Sequence, residues 1–425
     1  MTYNEAIDYI EGLAVFGSQP GFERIDALLD AIGHPEKALK YVHVAGTNGK
    51  GSVCNTTANV LSASGYKTGL FTSPFVSDFR ERIQVDGEYI PKEDLCRLTE
   101  YVKSVVDELA AKGIQPTEFE VITAIAFLYF KEVQCDVVVL EVGLGGLLDS
   151  TNVIDTPLVS AIVSLSFDHM GVLGNSIEEI TAQKAGIIKD GGVTISAPHQ
   201  PESALHILRT AAYEHENKFI VADPSVVTVL GASILGTRLS YAGVEMTLPL
   251  IGPHQIDNLS VSLCIIEVLR EKGYNISDEA LAAGVGKTTV PARIEVVSQK
   301  PLTIIDGGHN EDGARVLGET LSSFTADKEK TMIIGVMEDK DVDHVLQSLA
   351  PLAKRIITTT PNSPMKAEAL AVQASAFCND VRHADNPCDA YDIAKSLVTD
   401  DECLVVCGSL YLAGDVRQHI LDSLK

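Results

Sequence analysis

A glycine-rich segment, Val44–Ser52 (VAGTNGKGS), contains the residue types that bind a nucleoside triphosphate. It follows a short apolar run and opens a helical pattern, and backbone N–H groups in that setting surround phosphate oxygens. Lys50 supplies positive charge for the β- and γ-phosphates, and Ser52 offers a hydroxyl to Mg²⁺. Because Gly51 separates these two residues, the spelling differs from the common phosphate loop. The order of strand, loop, lysine, hydroxyl and helix still predicts a phosphate site.

Three polar residues follow other predicted strands. Glu141 ends the buried run DVVVLEV, Ser73 lies in FTSPF just after a strand, and His169 lies in FDHMGVLG after another. The carboxyl ends of parallel strands meet at the edge where ligands bind in α/β sheets. We therefore interpret Glu141 as a Mg²⁺ ligand, and His169 could bind a second metal ion as neutral imidazole. On residue type alone, Ser73 is as readily part of a turn, and His169 is more readily a structural or exposed histidine.

Lys184 lies in TAQKAGIIK, on a short predicted helix after the segment that carries His169. A charged lysine beside two Mg²⁺ ions would be repelled, whereas a carbamylated lysine is an anion and pairs with metal. The sequence cannot show that modification. From the residue alone, an exposed helix lysine is therefore the better interpretation.

Three later segments have polar residues suited to a nucleotide. The segment HQIDN (254–258) precedes a predicted helix, so that Asn258 could face the ligand. Arg293 lies at a predicted interdomain linker, from which it could reach a phosphate. In DGGHN, Asp306 follows a strand and could bind a ribose hydroxyl, with His309 near the adenosine or the phosphates. Each of these segments is interpreted equally well as a helix cap or a turn.

The elements that position these residues alternate between short β-branched runs and helical patterns, which predicts parallel sheets covered by helices on both faces. The predicted strands before residue 225 are Tyr41–Ala45, Lys67–Thr72, Cys135–Val142, Leu158–Ser164, Gly192–Ala197 and Lys218–Ala222. The predicted helices between them include Ser52–Ser64, Pro91–Lys112 and Thr117–Lys131. Ser225–Leu250 instead has the pattern of antiparallel strands joined by glycine-containing turns.

The alternation restarts after Pro291. The predicted strands there are Leu302–Asp306, Thr331–Val336, Arg355–Thr360 and Cys403–Gly408. We therefore expect an α/β protein of two domains, residues 1–290 and residues 296–425, with the boundary near Thr288–Val296.

Composition narrows the possible functions. A net charge of -25, from 33 Lys+Arg against 58 Asp+Glu, disfavours binding to nucleic acid or to anionic membranes. The eight cysteines are scattered without a C-x-x-C pair, so that reduced thiols are expected rather than disulfides or a zinc site. The N-terminus lacks the basic residues of a secretory signal, and no apolar stretch is long enough for a membrane helix. We expect a cytoplasmic protein.

Together these strings resemble the folylpolyglutamate synthase and dihydrofolate synthase family of the Mur ligase superfamily. The resemblance runs from GFERIDALL (21–29) to CGSLYLAGDV (407–416). The strings that carry it are HVAGTNGKGS, YKTGLFTSPF with the following RERI, TEFEVITAIAF, VVLEVGLGG, LDSTNV, DHMGVLG, QKAGIIK, HQIDN, PARIE and DGGHN.

The resemblance implies a Mur-ligase-type central ATPase domain and a smaller Rossmann-like C-terminal domain, with ATP between them. It implies ATP-dependent ligation of L-glutamate to a reduced folate through an acyl phosphate, and it permits the same reaction on dihydropteroate. It also implies a monomer. The implied nucleotide-binding residues are Asn48, Gly49, Lys50, Gly51, Ser52, Asn258, Arg293, Asp306 and His309. The implied residues of the metal, catalytic and pterin sites are Ser73, Glu141 and His169 as Mg²⁺ ligands, Lys184 as the carbamylated position, and Phe119 and Asp149 at the pterin.

The sequence departs from the family pattern at two small residues. Ala292 stands where P-G-R is frequent, and Gly308 stands where D-G-A-H-N is frequent. Neither change removes a functional side chain.

Two other functions are alternatives to this one. A Mur ligase acting on a UDP-sugar carries an extra N-terminal domain, for which Gly46 lies too near the start of the sequence. A nucleotide-binding switch would hydrolyse ATP without glutamate. Within the family, a bifunctional enzyme is favoured over one that only extends the glutamate tail. Asp149 in LLDSTNV permits the second activity without establishing it.

Overall fold

The computed structural model describes residues 1–17, 20–168, 170–337, 342–360 and 366–423. The strands are β1 Tyr41–Ala45, β2 Thr68–Phe71, β3 Ile83–Val85, β4 Glu88–Tyr89, β5 Val137–Glu141, β6 Val159–Ile162, β7 Val193–Ser196, β8 Lys218–Val221, β9 Val227–Ser233, β10 Gly236–Tyr241, β11 Val244–Leu248, β12 Glu295–Gln299, β13 Leu302–Ile305, β14 Lys330–Ile334, β15 Arg355–Thr359, β16 Val381–Ala384 and β17 Cys403–Cys407. The helices are α1 Tyr3–Gly12, α2 Glu23–Ile32, α3 Lys50–Ala63, α4 Lys92–Ala110, α5 Glu118–Glu132, α6 Met170–Leu173, α7 Ile177–Ala185, α8 Glu202–Glu214, α9 His254–Glu271, α10 Asp278–Gly286, α11 Glu311–Phe324, α12 Val342–Leu349, α13 Ala367–Ala374, α14 Pro387–Leu397 and α15 Leu410–Ser423.

The first sheet has eight strands in the order β4-β3-β2-β5-β1-β6-β7-β8. The six strands from β2 to β8 in this order pair in parallel. Strands β3 and β4 add an antiparallel edge. All five residues of β5 are buried. Val137 and Val139 join one hydrophobic core, and Val138 and Leu140 join the core on the opposite face. Burial on both faces explains why this strand is a continuous apolar run in the sequence.

The second sheet has six strands in the order β12-β13-β17-β14-β15-β16. Its pairs are parallel except for β12 with β13. The central strand β17 alternates between two cores: Cys403 and Val405 face one, and Leu404 and Val406 face the other. A separate antiparallel sheet has the order β11-β10-β9.

The structure confirms the predicted α/β class with parallel sheets and the antiparallel insertion at 225–250. Strands β3, β4, β12 and β16 were not predicted, since three of them have two to four residues and all four lie at or near sheet edges. The prediction that HQIDN precedes a helix is wrong. Pro253 is the N-cap of α9, so the segment forms the first turn of that helix. The domain limits 1–290 and 296–425 stay a prediction. Of the helices in the described part of the chain, none has the length and apolar character needed to span a membrane.

Candidate active site

The site forms at one edge of the first sheet. Strands β2, β5, β1 and β6 are successive neighbours and run parallel, so their carboxyl ends lie side by side. Ser73 follows β2, Glu141 ends β5, and the glycine-rich loop follows β1. The structure therefore brings together these three predicted parts of the site, as parallel-sheet topology requires.

Hydrogen bonds to the segment after β6 hold the glycine-rich loop in place. The Thr47 N–H donates to the Ser164 carbonyl at 2.8 Å, and the Ser164 hydroxyl donates to the Asn48 carbonyl at 3.0 Å. Gly49 is the N-cap of α3 with φ +95°. A Cβ there would lie 2.3 Å from Asn258 Oδ1. The loop thus needs glycine at this position, and the first turn of α3 keeps N–H groups free to bind an anion.

Two lysines converge on one carbonyl of the loop. Lys50 Nζ donates to the carbonyls of Gly46 and Thr47, each at 3.2 Å. Lys184 Nζ donates to the Gly46 carbonyl at 2.8 Å and is only 4% exposed. Burial, with the neighbouring charge of Lys50, lowers the pKa of Lys184 to about 7. The interpretation of Lys184 as an exposed helix lysine is therefore wrong, because α7 turns this side chain under the loop.

Glu141 is a buried carboxylate with little support from neutral donors. It is 5% exposed, and burial raises its pKa to about 7, against the lowering effects of Lys50, Arg293 and the Ser73 N–H. A buried anion is stable only when a cation or several donors compensate it. Its oxygens and the Ser73 hydroxyl are of the type that Mg²⁺ prefers. His169 lies outside the described residues, and within those residues no group of three or more His, Cys, Asp or Glu side chains could hold a metal.

The second sheet contributes the segment after β13. Asp306, 6% exposed, accepts the Gly308 N–H through Oδ1 and the Ile294 N–H through Oδ2, both at 2.9 Å. His309 Nε2 lies 3.8 Å from Asp168 Oδ2, and Asn310 Nδ2 donates to Asn48 Oδ1 at 3.3 Å. The segment DGGHN therefore reaches the glycine-rich loop across the gap between the two sheets.

Arg293 and Asn258 also lie beside this gap between the two sheets. Arg293 is half-buried and lines a cleft of about 630 Å³ together with Gly51, Ser73 and Glu141. Asn258 Nδ2 donates to Gln255 Oε1 at 3.0 Å, so that the two amides of HQIDN are paired within the first turns of α9. The cleft therefore brings Gly51 of the phosphate loop, the acid Glu141 and the cation Arg293 into one space. Three further cations also line it: Arg80, Lys287 and Arg417.

Comparison with known sequences agrees with this geometry. The model of the Mur ligase middle domain matches residues 44–266, and that of the Mur ligase glutamate ligase domain matches residues 292–410. A dihydrofolate synthase/folylpolyglutamate synthase of Bacillus subtilis is 37% identical over 98% of this chain and 99% of its own length. This chain belongs to the folylpolyglutamate synthase/dihydrofolate synthase family of Mur ligases.

Solved structures of the family have the same fold. The folylpolyglutamate synthase of Thermotoga maritima is 34% identical, with a TM-score of 0.87 over 100% of this chain and 97% of that chain. The Mycobacterium tuberculosis folylpolyglutamate synthase, in complexes with ADP and AMPPCP, is 31% identical, with a TM-score of 0.88 over 98% of both chains.

The two residues that the family pattern assigns to the pterin have different surroundings. Phe119, in the first turn of α5, lies so close to Gly143 that a Cβ there would be 2.5 Å from its ring. Asp149 accepts the Thr151 N–H at 2.9 Å, the Thr151 hydroxyl at 2.5 Å and the Leu144 N–H at 2.8 Å. These bonds use most of the acceptor positions of its carboxylate. In this structure Asp149 organises the loop between β5 and β6, and its contact with a pterin stays a prediction.

The sequence analysis missed the polar residues that support the loop from β6. Ser164 and Ser166 follow β6 and contact Thr47 or Asn48, whereas Asn310 contacts Asn48 from the side of the second sheet. The signal was present, because Ser164 ends the predicted strand Leu158–Ser164 and Ser166 lies two residues beyond it, and the carboxyl end of this strand lies beside that of β1. A prediction of strand order would have placed them there.

Proposed function

We propose that this chain uses ATP to ligate L-glutamate to the glutamate tail of a reduced folate, and also to dihydropteroate. The observation that carries the proposal is the convergence of Lys50, Lys184 and Glu141 on one phosphate loop, beside a cleft that Arg293 lines from the linker. The name of the Bacillus subtilis relative, which includes both activities, supports the two acceptors.

The chemistry explains why this constellation is needed. A carboxylate does not acylate an amine at neutral pH, because its leaving group is poor. Transfer of the γ-phosphoryl group forms an O–P bond to the acceptor carboxylate and releases ADP. The amine of L-glutamate then attacks the acyl phosphate, the C–O bond breaks, and phosphate leaves with the amine losing a proton. The first step depends mostly on positioning and on neutralising charge.

The residues of the chain divide this work. In our proposal the loop N–H groups of Asn48–Ser52 bind the phosphates, and Lys50 exchanges its carbonyl partners for phosphate oxygens. Unit charges about 4 Å apart interact by roughly 4 kcal/mol at an effective dielectric near 20, so this cation matters. Arg293 reaches the phosphates from the linker. Asn258, Asp306 and His309 face the nucleoside.

Magnesium fits the acid end of the cleft. Ser73, Glu141 and His169 would hold it, with two ions expected, and bound Mg²⁺ would neutralise the phosphates and the attacking carboxylate. The raised pKa of the buried Glu141 is relieved when a cation binds beside it.

We also propose that Lys184 is carbamylated. Its pKa of about 7 leaves much of the amine neutral at physiological pH. The neutral amine attacks CO₂, an N–C bond forms, and a proton is released. The product is an anion that no longer repels Lys50. Mass spectrometry of the native protein in bicarbonate should show one added carboxyl group, which Lys184→Met removes; an unmodified lysine under those conditions would contradict the proposal.

The deciding test is ATP-dependent phosphate release with L-glutamate, using dihydropteroate and tetrahydrofolate as separate acceptors. Release with both is the expected result. Release with tetrahydrofolate alone would restrict the enzyme to tail extension, and release that does not depend on glutamate would indicate a nucleotide switch instead.

Three further expectations belong to this proposal. The enzyme acts as a monomer, which light scattering would check. It works in the cytoplasm, in keeping with eight free thiols. The two domains close on ATP and folate around the linker of Arg293, and identical X-ray scattering with and without these ligands would contradict closure.

A further inference from the structure

The linker Pro291–Ile294, which joins α10 to β12, has an unusual backbone. Ala292 has φ +53° and Ile294 has φ +46°. Residues with a Cβ seldom adopt this left-handed conformation, and a β-branched residue does so least of all. Such a conformation persists only where the surroundings hold it, and it is typical of ligand-binding segments.

The side chains of the two strained residues are anchored on opposite faces of the second sheet. Ala292 is 0% exposed in the core beneath α14 and α15, and Ile294 is 3% exposed in the core beneath α11 and α12. Arg293 lies between them and lines the cleft instead. With both neighbours buried on either side, the direction of Arg293 depends on the backbone conformation of this segment.

Two acids accept hydrogen bonds from backbone N–H groups of the linker. The Ala292 N–H donates to Glu295 Oε2 at 3.0 Å, and the Ile294 N–H donates to Asp306 Oδ2 at 2.9 Å. The Ala292 carbonyl accepts the Gly307 N–H at 2.8 Å. Asp306 already belongs to the proposed nucleotide site, whereas Glu295 does not line the cleft.

Glu295 is in turn held by Arg417 of α15. Arg417 Nη2 lies 2.7 Å from Glu295 Oε1, and Nε lies 2.9 Å from Oε2. The two side chains are 20% and 21% exposed. A bidentate, mostly buried pair of this kind fixes the carboxylate in position and orientation. It therefore also fixes the acceptor of the Ala292 N–H.

We propose that Glu295 and Arg417 are positioning residues: they hold the left-handed backbone at Ala292 and thereby direct the Arg293 guanidinium into the cleft. This inference rests on the proposed role of Arg293 at the phosphates. It also accounts for alanine at position 292, where glycine would adopt the same conformation without support.

The test is a double-mutant cycle between Glu295→Ala and Arg293→Ala, measured both as kcat/KM for ATP and as binding of a fluorescent ATP analogue. In the native background, Glu295→Ala and Arg417→Gln should each lower kcat/KM about 10- to 100-fold, as misplacement of a catalytic cation does. In the Arg293→Ala background, Glu295→Ala should change it by no more than about twofold. Adding Ala292→Gly to Glu295→Ala should restore much of the loss, because glycine needs no clamp.

Asp380→Ala is the matched control. It removes a carboxylate that pairs with Arg355 and Arg382 at β16, the opposite edge of the same sheet from β12, and should leave both measurements unchanged. Equal losses from Glu295→Ala in both backgrounds, or no loss in either, would overturn the proposal. A loss with Arg417→Gln but none with Glu295→Ala would mean that Arg417 binds ligand directly, which would also overturn it. Nucleotide binding decides the cycle even if the proposed folate acceptor is wrong.

Discussion

Glu141 and Asp306 are both acids at the carboxyl ends of buried parallel strands, one in each sheet, yet they differ in what compensates their charge. They are 5% and 6% exposed, and burial raises the pKa of each. Asp306 receives a backbone N–H on each oxygen. Glu141 depends mainly on the side-chain cations Lys50 and Arg293. The charge of Asp306 is therefore compensated by backbone N–H groups close to it, whereas the charge of Glu141 is stable only with cations nearby. Ligand binding adds such cations or displaces them.

The largest expected effect concerns the cation beside Glu141. Lys50→Ala should lower glutamate-dependent ADP release about 1000-fold, because it removes charge from both the phosphates and the acid. Lys103→Ala, an exposed lysine on α4 that pairs with Asp107, is the control and should retain activity. Near-normal ligation by Lys50→Ala would remove this lysine from the mechanism.

Glu141→Gln should make the metal-free protein more stable at pH 8. The folded-state pKa of about 7 lies above the ordinary value of 4.5, so the folded protein binds more protons between these pH values and loses stability as pH rises through them. Removing that penalty should raise the free energy of unfolding by about 3 kcal/mol. Urea unfolding with a chelator at pH 5 and pH 8 measures it, with the exposed Glu279→Gln as control. A native-like pH dependence in Glu141→Gln would refute the assignment of the shift.

The same unfolding experiment should give the opposite sign at Asp306. Asn at this position keeps one acceptor but turns an N–H toward the Ile294 N–H. The lost hydrogen bond and the facing donors outweigh the gain from removing a buried charge whose pKa is raised, so Asp306→Asn should lower the free energy of unfolding by about 2 kcal/mol. A stabilised Asp306→Asn protein would erase the distinction between the two acids.

The smallest expected effect tests whether the compensation of a buried acid depends on its own hydrogen-bond donors or on the domain in which it lies. Asp149 lies in the first domain but, like Asp306, has partners of its own. Thr151→Val removes a hydroxyl that donates to Asp149 and also contacts the buried His43 Nε2 at 2.9 Å, and it should cost about 1.5 kcal/mol. Thr151→Ser keeps the hydroxyl and loses only a buried methyl group, so it should cost less, about 0.8 kcal/mol. The dihydropteroate KM should rise in Thr151→Val if the loop of Asp149 binds that acceptor.

The sequence allowed much of this fold to be predicted because burial on both faces produces long apolar runs. Strand β1 has its predicted bounds, and β5 lies within Cys135–Val142. Short strands at or near a sheet edge, such as β4 and β3, lack that signal. The position of Lys184 under the phosphate loop could not be predicted, since the path of α7 depends on tertiary packing. The phosphate loop itself could be predicted, because its glycines are required by local backbone geometry.

The contact between Phe119 and Gly143 has a consequence for how relatives of this protein vary. The ring lies where a Cβ at 143 would be, and φ at this glycine is not in the left-handed region, so the ring rather than the backbone conformation excludes a Cβ. The two positions should therefore covary. Any relative with a side chain at the equivalent of 143 should carry a smaller residue at the equivalent of 119, and its acceptor site should be shaped differently at that wall.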